Sequence, residues 1–146
     1  MKRPYLIGLG LLLFLIGTSI PFLPVRPANA QQGTFPKKDL VQLYNGTFTS
    51  SPTSKTLKIG DSTTIIAYLT VTAASGTSPT LNVKFQDSSD NGTTWWDIAG
   101  TTFTQATGST SQVVVATRGF AGEIQPVITI GGTSPSFTFH LELLTY

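Results

Sequence analysis

The chain has no cysteine, one histidine and one methionine among its 146 residues, and only 11% of them are charged. Without cysteine, no disulfide framework can hold the fold and thiolate zinc sites are excluded; a single histidine removes the usual histidine-based zinc sets as well. No cluster of Lys and Arg could track a phosphate backbone, so nucleic acid is not an expected partner. Beyond residue 30, Leu, Ala, Glu and Lys are sparse while Thr, Ser and Gly abound, a balance that disfavours helix and points to an all-β fold.

What is present begins with an address. Met1-Lys2-Arg3 supplies a positive start, residues 5–20 form a nearly unbroken apolar run, and Pro21, Pro24 and Pro27 interrupt it before Ala28-Asn29-Ala30. This is the layout of a secretory signal peptide, with cleavage expected after Ala30. The rival reading retains residues 5–23 as an anchor, just able to reach across roughly 30 Å of hydrocarbon. The Ala-x-Ala site and the prolines suit cleavage better. The expected organisation is a signal peptide at 1–30, a flexible leader at 31–38 and a β-sandwich domain at 39–146, secreted to the cell surface or beyond it. Membrane contact is expected only through an uncleaved N-terminal segment. Loss of Lys2, Arg3 and Arg26 leaves six basic against seven acidic residues, a net of −1, so the basic balance of the whole chain belongs to the export signal. The remaining body of about 116 residues suffices for one core.

Period-two alternation runs through that body. Ile65, Ala67, Leu69 and Val71 share one face of an expected strand at 63–73, the better core candidate. Ile66, Tyr68, Thr70 and Thr72 share the other, where Ile66 and Tyr68 are open to cover by an edge or by a partner. Leu81, Val83 and Phe85 mark a second strand, and Phe137, Phe139, Leu141 and Leu143 the inward face of the last, leaving Thr138, His140 and Glu142 outward. Shorter strands are expected at 39–44, 56–60, 95–98, 112–117 and 124–130. Asn45-Gly46 reads as a turn. Pro126 cannot donate to a ladder and implies an edge or a bulge. Gly76-Thr77-Ser78-Pro79-Thr80 and Gly132-Thr133-Ser134-Pro135-Ser136, 56 residues apart, read as two hairpins of one design, from a duplication or from the same turn chemistry used twice. Together these features predict an antiparallel two-sheet sandwich, Ig-like or jelly-roll-like, of about seven or eight strands.

Ser88-Ser89-Asp90-Asn91-Gly92-Thr93-Thr94-Trp95 fits S-x-D-x-G-x-T-W and resembles the Asp-box hairpin of sialidase-type propellers. In that family the box is structural and recurs within a chain; here it occurs once, in a body too short for a propeller. By this resemblance Ser88, Asp90, Gly92 and Trp95 brace a hairpin. Asp87, Asp90 and Asn91 would offer Ca²⁺ too few ligands, and no metal or cofactor is expected. Trp95 and Trp96 fall on opposite strand faces, so only one can be core. The other either packs under a loop or lies exposed as a ligand-binding surface for glycans or protein partners. His140 has no nucleophile motif around it, and the chain reads as a non-enzyme with no catalytic residues. Asn45-Gly46-Thr47 and Asn91-Gly92-Thr93 match the glycosylation pattern and are also ordinary Asn-Gly turns.

The ordered motifs Leu69-Thr70-Val71-Thr72-Ala73-Ala74-Ser75-Gly76-Thr77-Ser78-Pro79, Asp90-Asn91-Gly92-Thr93-Thr94-Trp95 and Ile128-Thr129-Ile130-Gly131-Gly132-Thr133-Ser134-Pro135 resemble a group of small Ig-like β-sandwich virion proteins of tailed bacteriophages. The resemblance implies a non-catalytic module that packs into or decorates a larger assembly. The signal peptide departs from that group and suggests an exported cellular relative. The expected role is a structural subunit of a surface assembly or filament, by self-association, strand exchange or contact with other surface proteins. A carbohydrate- or surface-binding adhesion module is the alternative.

Overall fold

The computed structural model describes residues 39–120 and 122–146; the expected signal peptide and leader lie outside them. The described chain is all-β, with β1 (Asp39–Phe48), β2 (Leu57–Lys58), β3 (Thr64–Ser88), β4 (Trp96–Asp97), β5 (Thr110–Thr117) and β6 (Glu123–Thr145). All six belong to one antiparallel sheet, dominated by β3 and β6, which pair along almost their whole lengths.

The two G-T-S-P segments depart from expectation. They are not hairpins. Val71 pairs with Phe139 and Leu81 with Ile130, so β3 continues past residues 76–79 along the same partner. The segments lie opposite each other, where the register shifts between Ser75 and Thr77 and again between Thr77 and Thr80. A Cβ on Gly76 would sit 2.6 Å from the Ser134 carbonyl oxygen, and one on Gly132 2.7 Å from that of Ser78; φ is +110° at both glycines. Only glycine fits where two backbones approach this closely at positive φ. Six strands therefore replace the seven or eight expected, because the irregularity bends two long strands without ending them.

Asn45-Gly46 is likewise not a turn, since Asn45 pairs with His140 and Gly46 with Phe139. Tertiary packing outweighs the turn preference here: the Phe48 ring lies 4.8 Å from that of Phe139, and Tyr44 meets Phe48 edge-on at 5.9 Å. Pro126 points inward from β6 opposite Phe85, beyond the end of β2, which reaches only Ile124. There its missing N–H leaves no ladder bond unmade.

The bend divides the sheet into two halves. In the β5 half the order is β1, residues 137–145 of β6, residues 64–75 of β3, then β5. In the β4 half it is β2, residues 123–131 of β6, residues 80–88 of β3, then β4. Residues 98–106 extend the β4 edge: Ile98 N–H donates to Phe85 O, Phe103 N–H to Val83 O, and Leu81 and Ala106 exchange both bonds. The buried Thr101 hydroxyl donates to Ile98 O at 2.7 Å and accepts the Phe85 N–H at 3.2 Å. Ile65, Ala67, Leu69 and Val71 from one half and Leu81, Val83, Phe85 and Ile124 from the other join Phe137, Phe139, Leu141 and Leu143 in a single core. Burying each large side chain there contributes about 1.5–3 kcal/mol.

Candidate functional site

The turn between β3 and β4 is held by two side chains. Ser88 Oγ donates to Asp90 Oδ1 at 2.7 Å and accepts the Gly92 N–H at 2.8 Å. Asp90 Oδ1 also accepts the N–H groups of Thr93 at 3.1 Å and Thr94 at 2.8 Å. The Thr94 backbone N–H is the main reason the Asp90 carboxyl is lowered to about 2, with the Thr94 and Ser88 hydroxyls adding to it. Trp95 Nε1 donates to Gly92 O at 3.0 Å, and its ring lies against Gly92, where φ is +81° and a Cβ would meet the indole at 3.3 Å. Ser88, Asp90, Gly92 and Trp95 are thus brought together in one turn, and every polar group named is directed at the turn itself.

The two tryptophans are placed differently. Trp95 is half-buried over the turn, whereas Trp96, opposite Asp87 in register, is 51% exposed. The inward position on this edge belongs to Ile98, so neither indole is a core residue.

Two of the three candidate Ca²⁺ donors are committed elsewhere. Asp87 is buried and paired with Arg118 Nη2 at 2.7 Å, while Asp90 serves its own turn. Among the described residues no group of three His, Asp or Glu side chains could hold a metal. His140 sits between Asn45 and Thr70 in register, and Glu142 between Gln42 and Tyr68. An open depression of about 450 Å³ beside β5 is lined by Thr104, Gln105, Thr107, Ser109, Thr110 and Gln112, hydroxyls and amides without charge or aromatic rings.

Register places Ile66 and Tyr68, outward on their strand by alternation, within a wider apolar surface. Leu40 pairs with Leu144, Leu144 with Ile66, and Ile66 with Val115, so four apolar residues form one row straight across the outer side of the β5 half. Leu40 is 57% and Val115 53% exposed, with Ile66 and Leu144 half-buried between them. The neighbouring row adds the exposed pair Tyr68 and Val113. Each outward residue looks ordinary alone. The available signals were Ile65-Ile66 and Val113-Val114-Val115, where apolar residues occupy both faces of a strand.

The outer side of the β4 half is polar and internally satisfied. Lys84 Nζ donates to Asp97 Oδ2 at 2.7 Å, Gln86 Nε2 to Asp97 Oδ1 at 2.8 Å and Gln125 Nε2 to Gln86 Oε1 at 3.2 Å. Lys84 first, then Gln86, hold the Asp97 carboxyl below its ordinary range. Compared with protein-family models and with curated proteins, the chain matches no family model and no curated protein.

Proposed function

We propose that this is an exported, non-enzymatic β-sandwich that serves as a structural subunit of an extracellular or surface assembly. In this reading the sheet folds over at the paired G-T-S-P segments, so that its two halves become the layers of the sandwich around the common core. The observation that carries the role is the apolar row Leu40, Leu144, Ile66 and Val115, continued by Tyr68 and Val113. A contiguous exposed apolar surface is disfavoured in water and is relieved when another protein covers it. The resemblance to phage virion sandwiches supports the same role, and the N-terminal signal directs it outside the membrane.

Electron microscopy of residues 31–146, beside material sheared from the native cells, tests this reading. Ordered fibres or lattices containing the chain are expected, and they should disappear when Ile66 and Val115 are both replaced by Lys. Dispersed monomers in both samples would contradict it.

A second reading rests on Trp96, whose half-exposed indole suits stacking on a sugar ring. Glycan binding lost in Trp96→Ala, with the fold intact, would favour an adhesion module.

A further inference from the structure

The described residues divide into two repeats that pair with each other rather than within themselves. Among the described residues, β1 and β2 pair only with β6, while β4 and β5 pair only with β3. The first repeat is therefore β1-β2-β3 and the second β4-β5-β6, each supplying two short strands to flank the long strand of the other. The correspondence holds residue by residue. The pair Val71 and Phe139 matches Ile128 and Val83, Leu69 and Leu141 match Pro126 and Phe85, and Ala67 and Val114 match Ile124 and Leu57. At the centre of this local two-fold lie the paired G-T-S-P segments, with φ of +49° at Ser78 and +51° at Ser134.

This topology has a physical consequence. Every ladder between the repeats would form equally well if the second repeat came from another copy of the chain. Only residues 89–95 connect the two, and those residues are the turn braced by Ser88 and Asp90. Exchange of identical elements creates no new interface; the balance rests on the connecting segment and on the entropy of association.

We propose that the partner is a second copy of this chain, that the two repeats exchange between copies, and that the braced 89–95 turn is the latch favouring closure within one chain. Reciprocal exchange gives a closed dimer. Successive exchange, with each second repeat seated on the first repeat of the next chain, gives an open filament. The inference rests on the subunit role proposed above: exchange links successive copies, and the apolar row is the face through which the linked copies pack.

The test uses Thr47 and Thr138, one from each repeat, which face each other with hydroxyls 2.7 Å apart. Thr47→Cys with Thr138→Cys places the only two thiols in the mature chain across the boundary between repeats. With the native turn, oxidation of the dilute, dispersed chain should give an intrachain bond and a monomer on a non-reducing gel, whereas oxidation of the chain within its assemblies should give covalent dimers and a ladder above them. Adding Asp90→Ala and refolding at high protein concentration should move most of the material into covalent dimers and a ladder above them, all collapsing on reduction. Gly92→Val, which disturbs the turn without touching the core, should do the same. Intrachain bonding in both latch variants overturns the proposal. Loss of β-sheet circular dichroism in both does so too, because exchange preserves every ladder. If the bond formed within native assemblies is still intrachain, exchange fails and the subunit role stands. If latch variants cross-link between chains while the native chain never assembles in its cells, exchange stands and the subunit role fails.

Discussion

In the β5 half of the sheet the outward row runs Leu40, Leu144, Ile66 and Val115, whereas the β4 half turns out Lys84, Gln86, Asp97 and Gln125, tied by hydrogen bonds into one chain. Their inner faces correspond in matching cross-strand pairs, with Asp87 in place of Leu143 as an exception. Two halves with the same inward pattern share a folding problem and solve it alike. Their outer faces owe nothing to that problem and differ, polar over the β4 half and apolar over the β5 half, which is the face proposed above to be covered by protein.

The sharpest break in the comparison should come from the inner face. Phe139→Ala removes a fully buried ring packed on Phe48 and Tyr44 and is expected to cost about 3–5 kcal/mol in urea unfolding. Lys84→Ala, on the solvated outer side, should stay within about 0.5 kcal/mol apart from its exposed ion pair. Next come the central glycines. Gly76→Ala and Gly132→Ala each force a Cβ against a facing carbonyl, and each should cost about 1–3 kcal/mol or more. The local two-fold predicts similar losses; a large effect at one and none at the other would break the equivalence of the repeats.

A smaller effect is expected where the inner faces differ. Asp87 in the β4 half occupies the position of Leu143 in the β5 half, as the pairs with Ile124 and Ala67 show. Its buried carboxylate is compensated by the half-exposed Arg118, which also lies over the Phe120 ring. Asp87→Leu should therefore be nearly neutral, because Arg118 can return to water, while Arg118→Met strands the carboxylate and should cost about 2 kcal/mol or more in the same unfolding measurement.

The smallest effect concerns pH and the turn. The Asp90 carboxyl is held at about 2, below its ordinary value, so its contribution to stability is complete above about pH 4 and is lost as pH falls through about 2. Asp90→Asn should flatten that part of the acid limb when urea midpoints are compared across this range. Asp97 is lowered as well, so the difference between the two proteins, rather than either curve alone, isolates Asp90.

The inner face was legible from alternation alone: Ile65, Ala67, Leu69 and Val71, then Phe137, Phe139, Leu141 and Leu143, are all buried. Alternation records burial of one face and depends on nothing distant. The G-T-S-P segments misled because glycine, serine and proline signal a departure from regular strand geometry without saying whether the chain reverses. Only the opposite segment, 56 residues away, decides that they bend together. Asn45-Gly46 misled for the same reason, overruled by Phe48 and Phe139. On the outer face, alternation singled out Ile66 and Tyr68, but the row as a whole was illegible because its four members lie on four strands, and their alignment is a property of register rather than of any local pattern.

The most direct test of the account is sedimentation of residues 31–146 over a wide concentration range, beside the variant carrying Ile66→Lys and Val115→Lys. Reversible association of the native chain is expected, and the paired lysines should abolish it while the unfolding midpoint changes little. A native chain that stays monomeric throughout, or one that associates equally well with both lysines in place, would contradict the assignment of the β5 half as the assembly surface.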